Sequence, residues 1–201
     1  APLKGHEFYR AARNVGGEFI QISPASKNCI NIMEIRKVDN SVNELLDGPT
    51  LDASALAGKI QRLHIFFSLL IPDMSHEEKQ LLDEALIKTY ARKGITHKNE
   101  SLTDPQHPEQ YKKMPILEDV YNVLLESEDT KRLAHILNRL VHGSASSFNQ
   151  QTNVDLTNKY TVLDISELTG SSDLLTVGMF VALDYVWDKA KENRTEEKAI
   201  F

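Results

Sequence analysis

The middle of the chain carries an apolar pattern that helices can bury. Apolar residues recur at three- and four-residue spacing and predict an amphipathic helix over 52–71, which Pro72 follows. Those residues are Leu56, Ile60, Leu63, Phe66, Phe67 and Leu70. Ser75 and Glu78 have the spacing of a capping box and predict a second helix, which ends near Gly94. A fold dominated by helices is therefore expected here.

A polar segment separates these helices from two more. Residues 95–114 predict a long loop, of a length typical of mobile or partner-binding segments. Pro115 begins the third helix, and Glu128-Asp129 precede a fourth that Gly143 ends. The four helices together predict that the middle third of the chain, and some residues beyond it, are largely helical.

Short strands flank the helical middle. A helix over 6–15 is followed by an alternating strand over 18–23, and a β-branched run over 160–165 predicts a buried parallel strand. The helix predicted over 172–193 is apolar around most of its circumference, so we expect it to be buried against a sheet. Residues 199–201 are apolar and predict the beginning of a third strand that continues further. The fold class is α/β and helix-rich, with about three short parallel strands interrupted by a helical insertion.

Composition narrows the class of protein. Hydrophobic residues make up 41% and charged residues 26%, as in soluble globular proteins. The net charge of -6 argues against a strongly basic nucleic-acid surface. Cys29 is the only cysteine, so an internal disulfide is excluded and a reducing compartment is favoured. The apolar stretch from Leu174 to Leu183 is too short to cross a bilayer, so we expect a soluble protein that meets membranes only through partners.

Residue types that could carry chemistry are present but poorly placed. His135 and His142 share a helix face, yet two turns separate them by roughly 10 Å, too far for one zinc ion without further ligands. His97 and His107 lie in the polar loop without a ligand at a recognised spacing. Cys29 lacks a neighbouring base and is predicted to be a quiet thiol.

Two further groups are better explained by structure than by chemistry. Four carboxylates follow Ser75 and predict a solvated helix face rather than an acid–base pair: Glu77, Glu78, Asp83 and Glu84. Phe180, Tyr185 and Trp187 have apolar neighbours, which favours core packing over stacking on a base.

Asp164 and Arg194 each retain two interpretations. Asp164 lies at the carboxyl end of a predicted parallel strand, where α/β folds gather ligands, but a cap on the following helix is equally consistent. Arg194 could contact a phosphate on a neighbouring subunit, although a solvated arginine is favoured. No residue is therefore assigned a catalytic, cofactor-binding or metal-binding role.

Several segments resemble one family in order and spacing. Gly16–Pro24 and Asn31–Ile35 are similar to the Gly-Gly turn, short strand, Ser-Pro loop and Asn-centred turn of conjugative-transfer ATPases of type IV secretion systems. These enzymes belong to the FtsK–HerA class of P-loop motors. Met114–Tyr121 resembles the proline-started helix of their insertion. The return to the sheet is resembled by Phe148 with Thr152–Leu156, followed by Val162–Leu168. The lead-in to a Walker B strand is resembled by Asn193-Arg194 and Lys198–Phe201.

The resemblance implies an internal fragment that lies between Walker A and Walker B. Residues 1–36 and 156–201 would then belong to the nucleotide-fold α/β domain, and residues 37–155 would form a helical insertion subdomain. ATP and magnesium would be held by the phosphate loop and the Walker B carboxylates of the parent. No Gly-Lys-Ser/Thr phosphate loop occurs in these 201 residues, so the fragment is expected to hold no cofactor and to be inactive.

The resemblance also implies a setting. The partners would be other secretion-apparatus subunits and copies of the parent, with nucleic acid bound only through the parent. The location would be cytoplasmic, peripheral at the inner face of a bacterial cell membrane. The alternative is a stand-alone helical protein-interaction module without enzymatic activity, which accounts equally well for the helical middle. A hydrolase built on Asp164 and a histidine is weaker, because no nucleophile stands at a recognised spacing.

Overall fold

A two-stranded parallel sheet joins the two ends of the described chain. The computed structural model describes residues 6–24, 26–36, 54–155 and 158–191. Strand β1 (Glu18–Gln21) pairs in parallel with β2 (Thr161–Asp164), and Glu18 lies opposite Thr161. The parallel pairing is as predicted, but β2 is half-buried where a buried strand was expected. The third strand predicted over 199–201, like Arg194, falls outside the described residues.

Six helices in the described residues carry most of the fold, close to their predicted positions. They are α1 (His6–Asn14), α2 (Ala55–Leu70), α3 (His76–Ala91), α4 (Leu117–Leu124), α5 (Lys131–Val141) and α6 (Ser172–Lys191). Ser54 caps α2 by accepting a hydrogen bond from the amide of Ala57. The capping box of Ser75 and Glu78 is present at the start of α3. Local sequence signals therefore fix where these helices begin.

Helix α1 is only partly buried. Ala12 is enclosed, whereas Phe8 and, just after the helix, Val15 are 45% and 65% exposed. The helix packs mainly on the two strands, so one residue of its face reaches the interior. Gly17 follows it where a Cβ atom would lie 2.6 Å from the carbonyl oxygen of Tyr160. Only glycine lets β1 start this close to the segment that leads into β2.

The long loop over 95–114 is folded on itself. It contains a 3₁₀ turn (Asn99–Leu102), and Thr103 forms an antiparallel bridge with Tyr111. Lys112 Nζ donates a hydrogen bond to the carbonyl oxygen of Gly94 at 2.8 Å.

Buried apolar side chains from α2 to α6 and from β1 form one core. The division of the chain at residues 37 and 155 stays a prediction.

Helix α6 packs differently from the prediction. Its main partner is α2, not a sheet, and Gly178 lies against Leu168 of a short 3₁₀ turn. Tyr185 is buried as expected, but the expected core position of Trp187 is wrong, since this side chain is 59% exposed. The reason is electrostatic: two carboxylates of α6 pair with cations of α2, which turns an apolar side of the helix outward.

Candidate functional site

Charged side chains from three segments meet in the interior. Lys59 and Arg62 are three residues apart on α2, and Asp184 and Asp188 are four apart on α6, so each pair shares one helix face. Arg36 joins them from the segment that follows β1. We call these five residues, Arg36, Lys59, Arg62, Asp184 and Asp188, the buried ion network.

Asp184 is the residue on which the cations converge. Lys59 is fully buried, and its Nζ lies 3.2 Å from Asp184 Oδ2 and 3.1 Å from the carbonyl oxygen of Ile32. Arg62 Nη1 lies 2.9 Å from Asp184 Oδ1 and 2.6 Å from Asp188 Oδ1. The network therefore ties α2 to α6 and ties both to the turn that contains Ile32.

Arg36 closes the network on its other side. Its Nη1 lies 2.9 Å from Asp188 Oδ2, and its Nε lies 3.2 Å from Glu34 Oε2. Its guanidinium carbon sits 4.4 Å from the centroid of the Tyr185 ring, a cation–π contact. The Tyr185 hydroxyl donates to the carbonyl oxygen of Val154 at 2.9 Å. The segment after β1, α6 and the loop before β2 are thus held together.

Burial and neighbouring charges act in opposite directions on the pKa values of Lys59 and Asp188. Burial lowers the pKa of Lys59 to about 8, although the charge of Asp184 acts to raise it. Burial would raise the pKa of Asp188, but the hydrogen bond and charge of Arg62, with the charges of Lys59 and Arg36, lower it overall. Lys59 therefore changes its charge near pH 8.

The shifted pKa of Lys59 predicts a pH-dependent stability. The folded state releases this proton near pH 8, whereas the unfolded state holds it to about 10.5, so the unfolded state binds more protons in between. The contribution of Lys59 to the free energy of unfolding should therefore rise with pH from about 7 to 9. We expect the free energy of unfolding of wild type, relative to that of Lys59→Met, to increase over this pH range when both are measured by urea unfolding at each pH.

Cys29 also has a shifted pKa, but its titration should not affect the difference between wild type and Lys59→Met. Burial raises the pKa of Cys29 to about 11, so its contribution to stability is complete below about pH 9 and is lost as the pH rises towards 11. This loss occurs equally in wild type and Lys59→Met and cancels in the difference. A difference that stays constant from pH 7 to 9 would contradict the assignment to Lys59.

A buried asparagine organises the turn beside the network. Asn31 is fully enclosed, and its Oδ1 accepts from the amide of Met33 at 3.0 Å. Its Nδ2 donates to the carbonyl oxygen of Pro115 at 2.8 Å, and its backbone amide donates to Thr152 Oγ1 at 2.9 Å. This is the Asn-centred turn on which the family resemblance partly rests. It connects β1, the segment that leads into α4, and the loop before β2.

A polar cleft of about 550 Å³ opens beside Arg36. Its walls include side chains of both charge signs, among them Glu34, Arg36, Lys112, Lys113, Gln151 and Tyr185. This cleft could hold a polar ligand. The five side chains of the buried ion network hold backbone segments in place, and none of the five is a nucleophile that lies beside a base.

Two of the candidate residues form hydrogen bonds with backbone groups. Asp164 Oδ1 accepts a hydrogen bond from the amide of Ser166 at 3.0 Å, two residues further on, as in an Asx turn at the end of β2, and both interpretations of Asp164 stay predictions. The Cys29 thiol is buried and donates to the carbonyl oxygen of Gln150 at 3.3 Å. Burial raises the pKa of this thiol, which agrees with the predicted quiet thiol.

The histidines and carboxylates considered in the sequence lie at helix surfaces or in loops. His142 Nε2 lies 3.2 Å from Glu118 Oε1, and His97 Nδ1 lies 3.1 Å from Ser54 Oγ. Glu78 serves the capping box, and Asp83 lies 2.9 Å from His64. The part of the chain that the structure describes contains no group of three such side chains that could hold a metal ion.

The buried ion network is not among the features predicted from the sequence. A signal was available, because Asp184 and Asp188 interrupt an otherwise apolar helix at helical spacing. Lys59 and Arg62 do the same on α2. Charges of opposite sign on the apolar faces of two helices indicate a pair of helices that meet through those charges.

Comparison with known proteins establishes the fold. No protein-family model and no curated protein matches the chain. Among solved structures, VirB4 of Thermoanaerobacter pseudethanolicus superposes with a TM-score of 0.76 and 24% sequence identity. The match covers 94% of this chain and 68% of that one. The chain has the VirB4 fold.

The likeness to VirB4 extends over nearly the whole chain. It confirms, at the level of fold, the resemblance to type IV secretion ATPases found in the sequence. None of the described helices combines the length and the apolar character needed to span a membrane.

Proposed function

We propose that this chain is part of the motor domain of a conjugative-transfer (type IV secretion) ATPase, which powers the transfer of DNA or protein. The observation that carries this proposal is the VirB4 fold over 94% of the chain. The buried Asn31 turn adds support, because it stands where the sequence resemblance expects an Asn-centred turn.

In this proposal the chain supplies positioning and not the phosphate chemistry. The parent's phosphate loop and Walker B carboxylates bind ATP and magnesium, and these 201 residues have no Gly-Lys-Ser/Thr run. The isolated chain then neither binds nor hydrolyses ATP. The parent works at the inner face of a bacterial membrane with other secretion-apparatus subunits and with copies of itself.

The buried ion network has a role in such a motor. It joins α2 of the helical middle to α6 and, through Lys59 and Arg36, to the segment after β1. Side chains in a charged and hydrogen-bonded cluster of this kind keep one arrangement, because any displacement leaves a buried charge unpaired. The helical middle is thereby held rigidly against the strands.

The test compares the chain with the whole protein encoded by its gene. The gene should encode Gly-Lys-Ser/Thr before this segment and Asp-Glu after it. The whole protein should hydrolyse ATP, while calorimetry with magnesium and ATP should detect no binding to the 201 residues alone. A gene that lacks the phosphate loop overturns the motor proposal, and micromolar ATP affinity of the isolated chain overturns the proposed division of labour.

The apolar residues exposed on α6 favour a second candidate, a helical protein-interaction module without enzymatic activity. Met179, Leu183 and Trp187 are 44%, 57% and 59% exposed, as at a surface that contacts protein. A full-length gene product without nucleotide motifs would favour this candidate.

A further inference from the structure

A short loop after α5 holds the segment that follows β1 through its own side chains. Residues 149–153, which we call the polar loop, carry an amide or a hydroxyl side chain at every position. Asn153 Oδ1 accepts from the backbone amide of Cys29 at 2.7 Å, and its Nδ2 donates to the carbonyl oxygen of Lys27 at 2.6 Å. The backbone amide of Asn153 donates to the carbonyl oxygen of Cys29 at 3.1 Å. One asparagine thus binds the backbone of this segment much as a neighbouring strand would.

The polar loop also binds the two helices that precede it. Asn149 Oδ1 accepts from the amide of Glu118, in the first turn of α4, at 2.8 Å. Asn149 Nδ2 donates to the carbonyl oxygen of Val141, the last residue of α5, at 3.4 Å. Gln151 Nε2 donates to the carbonyl oxygen of Met114, which precedes α4, at 2.8 Å. The polar loop therefore ties α4 and α5 to the segment after β1, although that segment lies far away in sequence.

Glu34 connects the polar loop to the buried ion network. Its Oε2 accepts from Thr152 Oγ1 at 2.6 Å and lies 3.2 Å from Arg36 Nε, so one carboxylate oxygen binds both sides. Thr152 Oγ1 also accepts from the backbone amide of Asn31 at 2.9 Å. Because a hydroxyl has a single proton to donate, its bond to Glu34 fixes the direction of that proton. Arg36 in turn pairs with Asp188, so a continuous run of polar contacts leads from α6 to the polar loop.

The segment between these groups depends on side chains for its hydrogen bonds. Residues 29–33 are each no more than 4% exposed, yet they belong to none of the described helices and strands. Buried backbone amides and carbonyl oxygens need partners, and side chains must supply them where a sheet does not. Besides the polar loop, Lys59 Nζ donates to the carbonyl oxygen of Ile32, and the Tyr90 hydroxyl donates to that of Met33. The position of this buried backbone therefore depends on how firmly those side chains are held.

We propose that Glu34 couples the polar loop to the buried ion network, so that a change at α6 alters how firmly the polar loop holds the segment after β1. The inference goes beyond the proposed motor function and does not depend on it. Lys59 and Arg36 also contact that segment, at the carbonyl oxygens of Ile32 and Asn31, 3.1 and 3.4 Å away, whereas Glu34 binds the polar loop itself. Glu34 is a positioning residue, since it acts by orienting its two partners.

A double-mutant cycle between the two sides tests this coupling. Asp188→Asn alters the buried ion network and Thr152→Val alters the polar loop, and urea unfolding gives the equilibrium constant of unfolding for each variant. The constant of the double variant should fall short of the product of the two single changes by about threefold or more, because the first loss already loosens what the second removes. In a Glu34→Ala background, the two changes should simply multiply.

The matched control for this cycle is Thr176→Val. It removes the same hydroxyl from an exposed position of α6 and should multiply with the α6 aspartate change in every background. Simple multiplication for the main pair in the wild-type background would overturn the proposal. An equal shortfall with and without Glu34 would overturn it too, since the coupling would then run through another contact.

Hydrogen exchange tests the coupling with one substitution and needs no multiple variant. Glu34→Ala should raise the exchange rates of the Cys29 and Asn31 amides by a similar factor, about fivefold or more, although Glu34 accepts from neither amide. The Ala57 amide at the start of α2 should keep its wild-type rate. An unchanged rate at Cys29, or an equal rise at all three amides, would contradict the proposal. Neither measurement involves ATP, so a negative result here leaves the motor proposal untouched.

Discussion

Replacing Asp184 with alanine should lower the free energy of unfolding by about 3–5 kcal/mol, the range for breaking a buried ion pair from one side. Asp184 is 7% exposed and pairs with fully buried Lys59 and with Arg62. Without the carboxylate, the Lys59 ammonium keeps only the carbonyl oxygen of Ile32 among its partners described above. Urea unfolding followed by circular dichroism measures the loss.

The matched control for this variant lies on the same helix. Asp173→Ala removes a solvent-exposed carboxylate from the first turn of α6 and should change stability by no more than about 0.5 kcal/mol. If Asp184→Ala and Asp173→Ala are equally mild, the ion network contributes little and its proposed holding role is wrong.

A double replacement separates the interaction between Asp184 and Lys59 from the cost of burying their two charges. Asp184→Leu with Lys59→Met removes both charges and leaves apolar side chains in their place. We expect the double variant to be clearly more stable than the sum of the single effects predicts, since neither charge is left buried alone. Strict additivity would show that the two side chains are not coupled.

Replacing Asn31 with alanine should lower the free energy of unfolding by about 2–4 kcal/mol. The side chain satisfies the amide of Met33 and the carbonyl oxygen of Pro115, and each buried group left without a partner costs about 1–3 kcal/mol. Thermal and urea unfolding both report this loss. The effect should also appear as faster hydrogen exchange at the Met33 amide.

Asn122 provides the control for Asn31. It lies exposed on α4, so Asn122→Ala removes an amide of the same kind from solvent and should change the stability by no more than about 0.5 kcal/mol. Similar losses for the two variants would mean that the Asn31 turn does not hold the three segments together.

Sequence alone predicts what neighbouring residues decide. The capping box at Ser75 and the three- and four-residue spacing along α2 lie within one or two helical turns, so their pattern is legible without a structure. The orientation of α6 depends on partners far away in sequence, since Lys59 and Asp184 are separated by 125 positions. For that reason the apolar residues around most of α6 predict packing on a sheet and a core position for Trp187, whereas the structure shows packing on α2 and an exposed Trp187.

The candidate site divides in the same way. The turn at Asn31 is recognisable in the sequence because it resembles a family pattern, but the buried role of Asn31 depends on Pro115 and Thr152, which only the fold brings near. Charged residues are normally solvated, so nothing local marks Arg36 or Asp188 as interior. Their pairing becomes visible only when α2 and α6 are placed side by side.

The pairing of β1 with β2 has a kinetic consequence. The two strands are far apart in sequence, and four of the helices, α2 to α5, lie between them along the chain. Ring closure over so long an intervening segment is slow compared with helix formation, and its entropic penalty falls once that segment has collapsed. We therefore expect the helices to form and pack early, and the two strands to pair last, against helices that are already packed.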